Sequence, residues 1–491
     1  MSPLDLLVIA LYFAGTLGVG LWLSRQQRSA QDYFLGARDL PAWTVLLSIV
    51  ATETSALTVI SVPGIGARGD LTFLQLPLGY LFGRIGVALW LLPGYFTGKQ
   101  DTAYARLEAR FGVSTRRLLS LVFLVTRFLG DGVRVFAGAI PLALLTGWSV
   151  PTAILAMGVI TLIYTWMGGI KAVIWADIIQ LAVYVTGGVV ALGIAIHLSG
   201  GLDTAMSAAN AAGKLRIFDW HLSLTAPYTF LGGIIGGALL SAASHGTDQL
   251  IVQRLLATRS LRDARVAIIG SGVVVVLQFA LFLLIGVALW TAHLAPADAP
   301  ADHLFGQFIL QHLPTGVAGL MIAGILAAAM SSHASAINAM ASSLTYDQYA
   351  SWTGEQNPTV LLKVGRIVSL IWGVALMVAA LGFNALTSTT DTPVVVLALS
   401  IASVTYGALL GAYILAGLGV RIEGRDVIRA AMLTMAIMLV TVFAARLAAW
   451  WPALTGLGRV AWPWYVPMGT ALMVGMGWLS SRLRPAREVA A

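Results

Sequence analysis

Residues 46–66 read LLSIVATETSALTVISVPGIG, a run that is apolar at both ends and polar in its middle. Glu53 stands between Thr52, Thr54 and Ser55, halfway along a segment long enough to cross a bilayer. A carboxylate at that depth costs about 3 kcal/mol on insertion scales. The pattern therefore reads as a membrane helix interrupted in mid-span. A second run, FLGGIIGGALLSAASHGTDQ over 230–249, carries Gly232, Gly233, Gly236 and Gly237 and ends in a polar exit. The two interrupted segments lie five segments apart, and an odd offset gives them opposite orientations in the membrane. Paired interrupted helices of opposite orientation point to an inverted-repeat transporter. Ordinary glycine packing between helices is the other reading of the same pattern.

The rest of the chain agrees with a membrane body. Of 491 residues, 58% are hydrophobic and 10% charged, against about 25% charged in soluble domains. So few charges cannot cover a water-soluble particle of this size, and the apolar content excludes disorder. Cysteine is absent, which removes disulfides, thiolate metal sites and cysteine nucleophiles. Thirteen apolar segments are expected, with one repeat at about 43–197, a second at about 227–418, and peripheral helices at 4–23, 429–450 and 462–481. The stretch YARLEARFG (104–112) is expected to form a short amphipathic helix on the membrane surface. Twenty-one of the 29 Lys and Arg residues fall in one alternate set of loops. That set is then cytoplasmic, the N-terminus outside and the C-terminus inside. The formal charge of +8 is this loop bias and not a nucleic-acid surface. The positive charges of the first segment follow its apolar run, the reverse of a cleaved signal peptide.

Three motifs in order, YTWMGGIKAVIWADIIQ (164–180), GTDQLIVQRLLATRSLRDA (246–264) and AGILAAAMSSHASAINAMASSLTYDQY (323–349), resemble the solute:sodium symporter family. That family includes sodium-coupled sugar, sialic-acid, proline, iodide and monocarboxylate carriers. The resemblance runs from about Leu4 to beyond Leu418. It implies an all-α polytopic membrane protein of about 13 transmembrane helices. The implied fold is a LeuT-type 5+5 inverted repeat with an extra N-terminal helix and two extra C-terminal ones.

Ser331, Ser335, Asn338 and Ser342 share one helical stripe at i, i+4, i+7 and i+11. Alone, the stripe suits a small-residue packing face or a cation site, because a hard cation takes oxygens in place of its water. The resemblance implies a main Na⁺ site from the carbonyls of Ala51, Thr54 and Ala328 and the hydroxyls of Ser331 and Ser332. It implies a second cation site at Asp177 and Ser335. Ala334 departs from the hydroxyl expected there, and Asp177 paired with Lys171 is the alternative. Arg127, Asp131 and Arg134 share a helix face with a net charge of +1 that Glu53 would neutralise. They form either a structural network with Glu53 or a place where an arginine meets an anionic substrate. Thr58, Phe73 and His245 are further substrate or gate candidates, and His333 abuts the serine pair. Trp450, Trp451, Trp462 and Trp464 read as an interfacial belt.

No zinc-protease, nucleophile-elbow or Walker motif is present, so an enzyme is not expected. The expectation is a sodium-driven symporter of a small polar organic solute, a sugar or a carboxylate. It would act as a monomer in a bacterial inner membrane, with solute, Na⁺ and lipid as its partners. A proton-coupled carrier on the same fold and a non-transporting sensor or scaffold are the rivals.

Overall fold

The computed structural model describes residues 2–24, 29–98, 100–387, 394–418 and 422–483. Arg25, Arg28, Lys99, Arg421, Arg484 and Arg487, all used for the loop-charge bias, lie outside them. Among the described residues the elements are helices, with one isolated bridge between Leu40 and Thr258.

The chain begins with α1 (Pro3–Ser24). The interrupted segment is a bent pair, α2 (Ala42–Glu53) and α3 (Ala56–Arg68), at 66° to each other. Next come α4 (Gln75–Gly86), extended by further turns to Phe96, and the short helix α5 (Ala105–Phe111) expected from 104–112. They are followed by α6 (Val113–Thr146) and α7 (Val150–Leu198). At 1.5 Å per residue α7 would be about 74 Å long, more than twice the ~30 Å hydrocarbon core. It divides at Gly169, whose φ of 56° and ψ of −157° suit only glycine. Residues 151–167 and 173–197, two of the thirteen apolar segments, therefore meet without a loop, and Lys171, one of the 21 cations counted to the loops, lies in the helix just past the kink.

The second glycine-rich segment departs from expectation. Its glycine run stays helical and leads directly into α8 (Gly237–Gly246). The break falls after it, at Thr247–Asp248, before α9 (Gln249–Leu256). The carboxylate of Asp248 accepts from the Leu250 N–H at 2.9 Å and restarts the helix. The small residues serve packing instead: a Cβ on Gly83 would stand 2.1 Å from the Ala238 carbonyl oxygen, so α4 and α8 touch backbone to backbone.

The chain continues with α10 (Leu261–Thr291), α11 (Ala301–His312), α12 (Val317–Ser343) and α13 (Pro358–Thr387). It ends with α14 (Val394–Gly417), α15 (Gly424–Val442) and α16 (Tyr465–Arg482). Among the described residues five helices are long and apolar enough to cross a membrane on their own, and the bent pair α2–α3 makes a sixth. Length and composition alone therefore do not count thirteen spans. Helix α12 is the axis of the molecule. Every residue from Met321 to Ser343 is buried, and α6, α7, α9 and the bent pair surround it. A helix rich in Ala, Gly and Ser on every side permits such close neighbours all round.

Candidate functional site

The break between α2 and α3 is local chemistry. Thr54 leaves the helical region (φ −78°, ψ 109°), and Ser55 caps α3 by accepting from the Thr58 N–H at 3.4 Å. The carbonyls of Ala51 and Thr54 consequently have no backbone donor among the described residues. An unpaired buried carbonyl is costly in a membrane, and these two are buried. Helix α12 packs against both halves of the break and carries Ala328, Ser331 and Ser332, also buried. The Ser332 hydroxyl donates to the Ala328 carbonyl at 3.2 Å. Neutral oxygens of this kind are what a hard monovalent cation takes in place of water.

Ser331 makes a second connection. Its hydroxyl donates to Asp177 at 2.5 Å, and Asp177 also accepts from Ser48 at 2.5 Å and Thr52 at 3.3 Å. Its charge partner is not Lys171. The Arg254 guanidinium of α9 donates to Asp177 at 3.1 Å and also to Ser335. Both residues of the pair are fully buried. The rest of the serine stripe meets the same short helix, Asn338 accepting from Gln253 at 2.7 Å and Ser342 from Gln249 at 3.2 Å. His333 is buried with neither ring nitrogen hydrogen-bonded among the described residues.

Beside the break lies a cavity of about 320 Å³. Glu53, Thr58, Phe73, Arg127, Arg134 and His245 all line it, so one space gathers six of the seven substrate candidates. The seventh, Asp131, stands behind the wall and holds Arg127 at 3.5 Å and Arg134 at 3.1 Å. Phe73 packs edge-on against Tyr228, with ring centroids 5.1 Å apart. Trp462 also lines the cavity and Trp464 is half-buried; of the expected tryptophan belt only Trp450 and Trp451 are exposed.

The charge pairing differs from the one expected. Glu53 does not join the arginines of α6. It pairs with Arg84 of α4 and lies 3.5 Å from Nε2 of His245. Arg84 is fully buried and donates to Ser271 at 2.7 Å. The close α4–α8 crossing brings Arg84, Ser241 and His245 to one place at the end of α2. Arg127 takes Asp248 instead, at 2.6 Å, with the Tyr406 hydroxyl bonded to both. Around the break and the cavity the charges thus resolve into three neutral groups: Glu53 with Arg84, Asp177 with Arg254, and Asp131 and Asp248 with Arg127 and Arg134. In the third group Arg134 is the outermost, with its side chain 37% exposed and one nitrogen engaged, by Asp131.

Sequence reasoning missed Arg84, Asp248 and Arg254. Arg84 had a signal, a lone cation within an apolar segment. The other two stood in the 246–264 motif with no indication of what they face.

Comparison with known proteins agrees with this architecture. The family model described as "Sodium:solute symporter family" matches residues 33–416. The human sodium/iodide cotransporter is 31% identical over 426 residues, covering 83% of this chain and 64% of that protein. The sodium/sialic acid symporter of Proteus mirabilis is 30% identical over 387 residues, covering 75% of this chain and 76% of that one. A solved structure of a Na⁺-coupled sialic acid symporter, substrate-bound and outward-open, superposes with a TM-score of 0.85 at 26% identity, covering 98% of each chain. These relatives are sodium-coupled transporters and not enzymes.

Proposed function

The chain belongs to the sodium:solute symporter family, and on that premise we propose that it carries a small polar organic solute into the cell together with Na⁺ by alternating access. The observation that supports this best is the break itself: two carbonyls without backbone donors, beside a helix with adjacent hydroxyls, at the edge of a 320 Å³ cavity. In this reading Na⁺ takes the carbonyl oxygens of Ala51, Thr54 and Ala328 and the hydroxyls of Ser331 and Ser332. The ion then holds α2 and α3 in the shape that presents Glu53, Ser55 and Thr58 to the solute. Ion and solute favour each other reciprocally, as linkage requires. The membrane potential supplies about 2.3 kcal/mol per charge per 100 mV.

The lining of the cavity describes the solute. Arg134 offers N–H donors at one wall, Glu53 and His245 stand at another, and Phe73, Phe279 and Trp462 supply apolar faces. A small organic carboxylate with hydroxyl or carbonyl groups suits this better than a neutral sugar. We take one Na⁺ per solute, because Arg254 already brings a positive charge to both Asp177 and Ser335. The interrupted elements α2–α3 and α8–α9 are read as corresponding parts of inverted repeats at 43–197 and 227–418. The N-terminus lies outside in this arrangement and the C-terminus inside.

Uptake into proteoliposomes at fixed pH, with and without an inward Na⁺ gradient, tests the proposal. Accumulation of a carboxylate only with Na⁺ supports it. Accumulation driven by a pH gradient without Na⁺ selects the proton-coupled reading, for which the Glu53–His245 contact in the cavity wall is the place to look. Absence of flux for every solute with either gradient favours a sensor.

A further inference from the structure

A second concavity lies far from the solute cavity. It is a groove of about 640 Å³ between the first turns of α15 and the last turns of α16. Its mouth carries Arg425 and Arg429, one turn apart on the same face of α15, with Leu483 at the same level, and its floor is Leu433, Met476 and Leu479. Leu433 is 56% and Leu479 49% exposed, so no described residue covers the floor. Arg429 has no hydrogen-bond or ion-pair partner among the described residues, and Arg425 has one contact, to Glu423 at 3.3 Å. The groove's single acid, Asp426, is 2% exposed and has both oxygens engaged. One of its oxygens accepts from the Glu423 N–H at 2.9 Å and the other from the Ser480 hydroxyl at 2.8 Å.

Two further features set the depth and the sign. Trp478, in the last turns of α16, is exposed and lies under the guanidinium of Arg482 at 5.3 Å. Exposed tryptophan and snorkelling arginine mark the headgroup level of a bilayer. The N-terminal end of α15, a helix of 19 residues, adds the positive end of its dipole at the same mouth. A greasy floor that opens to lipid, below two cations at headgroup level, matches a molecule with an anionic head and an apolar tail. Basic pockets between helices hold such headgroups.

We propose that the α15–α16 groove is a binding site for one anionic phospholipid, its phosphate on Arg425 and Arg429 and an acyl chain along Leu433, Met476 and Leu479. The site is separate from the transport path and does not depend on the identity of the solute.

The 491-residue chain, purified in detergent and stripped of lipid, is titrated with phosphatidylglycerol or with phosphatidylcholine of the same acyl chains, and bound lipid is read by native mass spectrometry. Each arginine near the surface contributes about fivefold, so phosphatidylglycerol should be preferred on the order of tenfold to thirtyfold. Arg425→Gln with Arg429→Gln should abolish the preference and leave weak binding of both lipids. Leu433→Trp, which fills the floor and keeps both charges, should weaken both lipids together. A third readout is the wild-type chain in high salt, where the preference should shrink, and it stands even if a variant fails to fold. Equal binding of the two lipids by the wild-type chain, or a preference that survives in the double variant, overturns the proposal. So does complete displacement of phosphatidylglycerol by inorganic phosphate, which would make the groove a site for the free anion.

Discussion

Glu53→Gln is expected to harm this protein mainly through Arg84. The guanidinium of Arg84 is fully buried, whereas the Glu53 side chain is 18% exposed to the cavity. Removing the carboxylate leaves Arg84 with Ser241 and Ser271, two neutral partners, in the membrane interior. Stranding one partner of a buried pair costs about 3–5 kcal/mol. Arg84→Gln strands the other partner less severely, because Glu53 retains His245 at 3.5 Å and the cavity for solvent. Glu53→Gln should therefore be the more destabilising single change, and the double variant should recover most of the loss. The assay is a double-mutant cycle by thermal unfolding of the detergent-solubilised protein, with uptake measured in parallel. A coupling energy of about 2 kcal/mol or more is expected for Glu53 with Arg84. None is expected for Glu53 with Arg134, which belongs to a different neutral group. Zero coupling to Arg84, or a larger coupling to Arg134, would refute the pairing and restore the network read from charge sums.

Three further outcomes follow from the geometry. Ser332→Ala should raise the Na⁺ concentration needed for half-maximal uptake more than tenfold, and Ser331→Ala should do the same while also lowering stability, because Asp177 loses a donor at 2.5 Å; unchanged Na⁺ dependence in both would remove them from the ion site. Arg134→Gln should cost less thermal stability than Glu53→Gln, since its side chain is 37% exposed and Asp131 keeps Arg127 at 3.5 Å, yet should raise KM for a carboxylate solute at least tenfold; equal loss for a neutral solute would show that it does not read charge. On the loop after α3, burial raises the Asp70 carboxyl, but the Thr72 hydroxyl and N–H and the Arg216 guanidinium together hold it below its ordinary 3.8. Its contribution to stability is therefore fully present above pH 3.8 and is lost as the pH falls through the lower folded value; the unfolding temperatures of wild type and Asp70→Asn should converge in that acid range, and a constant gap would contradict the assignment.

Much of this protein is legible along the chain because the relevant physics is local. Scarce charge and long apolar runs determine a membrane body whatever the packing. The cluster Thr52-Glu53-Thr54-Ser55 determines where α2 ends, since the Ser55 cap and the departure of Thr54 need only their neighbours. One helical period suffices to place Ser331, Ser335, Asn338 and Ser342 on a common face. The same holds for the α6 triad, in which Asp131 bonds both Arg127 and Arg134.

The partners of the buried charges were decided only in three dimensions. Glu53 meets Arg84 across 31 positions, Asp177 meets Arg254 across 77, and Arg127 meets Asp248 across 121. Charge sums allowed Glu53 to neutralise the α6 triad and Lys171 to neutralise Asp177, and nothing in a single helix's spacing forbids either. The choice was made by how the helices cross. Gly83 lets α4 lie on α8 and carries Arg84 to Glu53. The break at Thr247–Asp248, placed beyond the glycine run, aims Asp248 at Arg127 and Arg254 at Asp177. Hydropathy and helical period are properties of neighbouring residues and survive in any packing. An ion pair between helices depends on a crossing angle and a depth that no one segment contains.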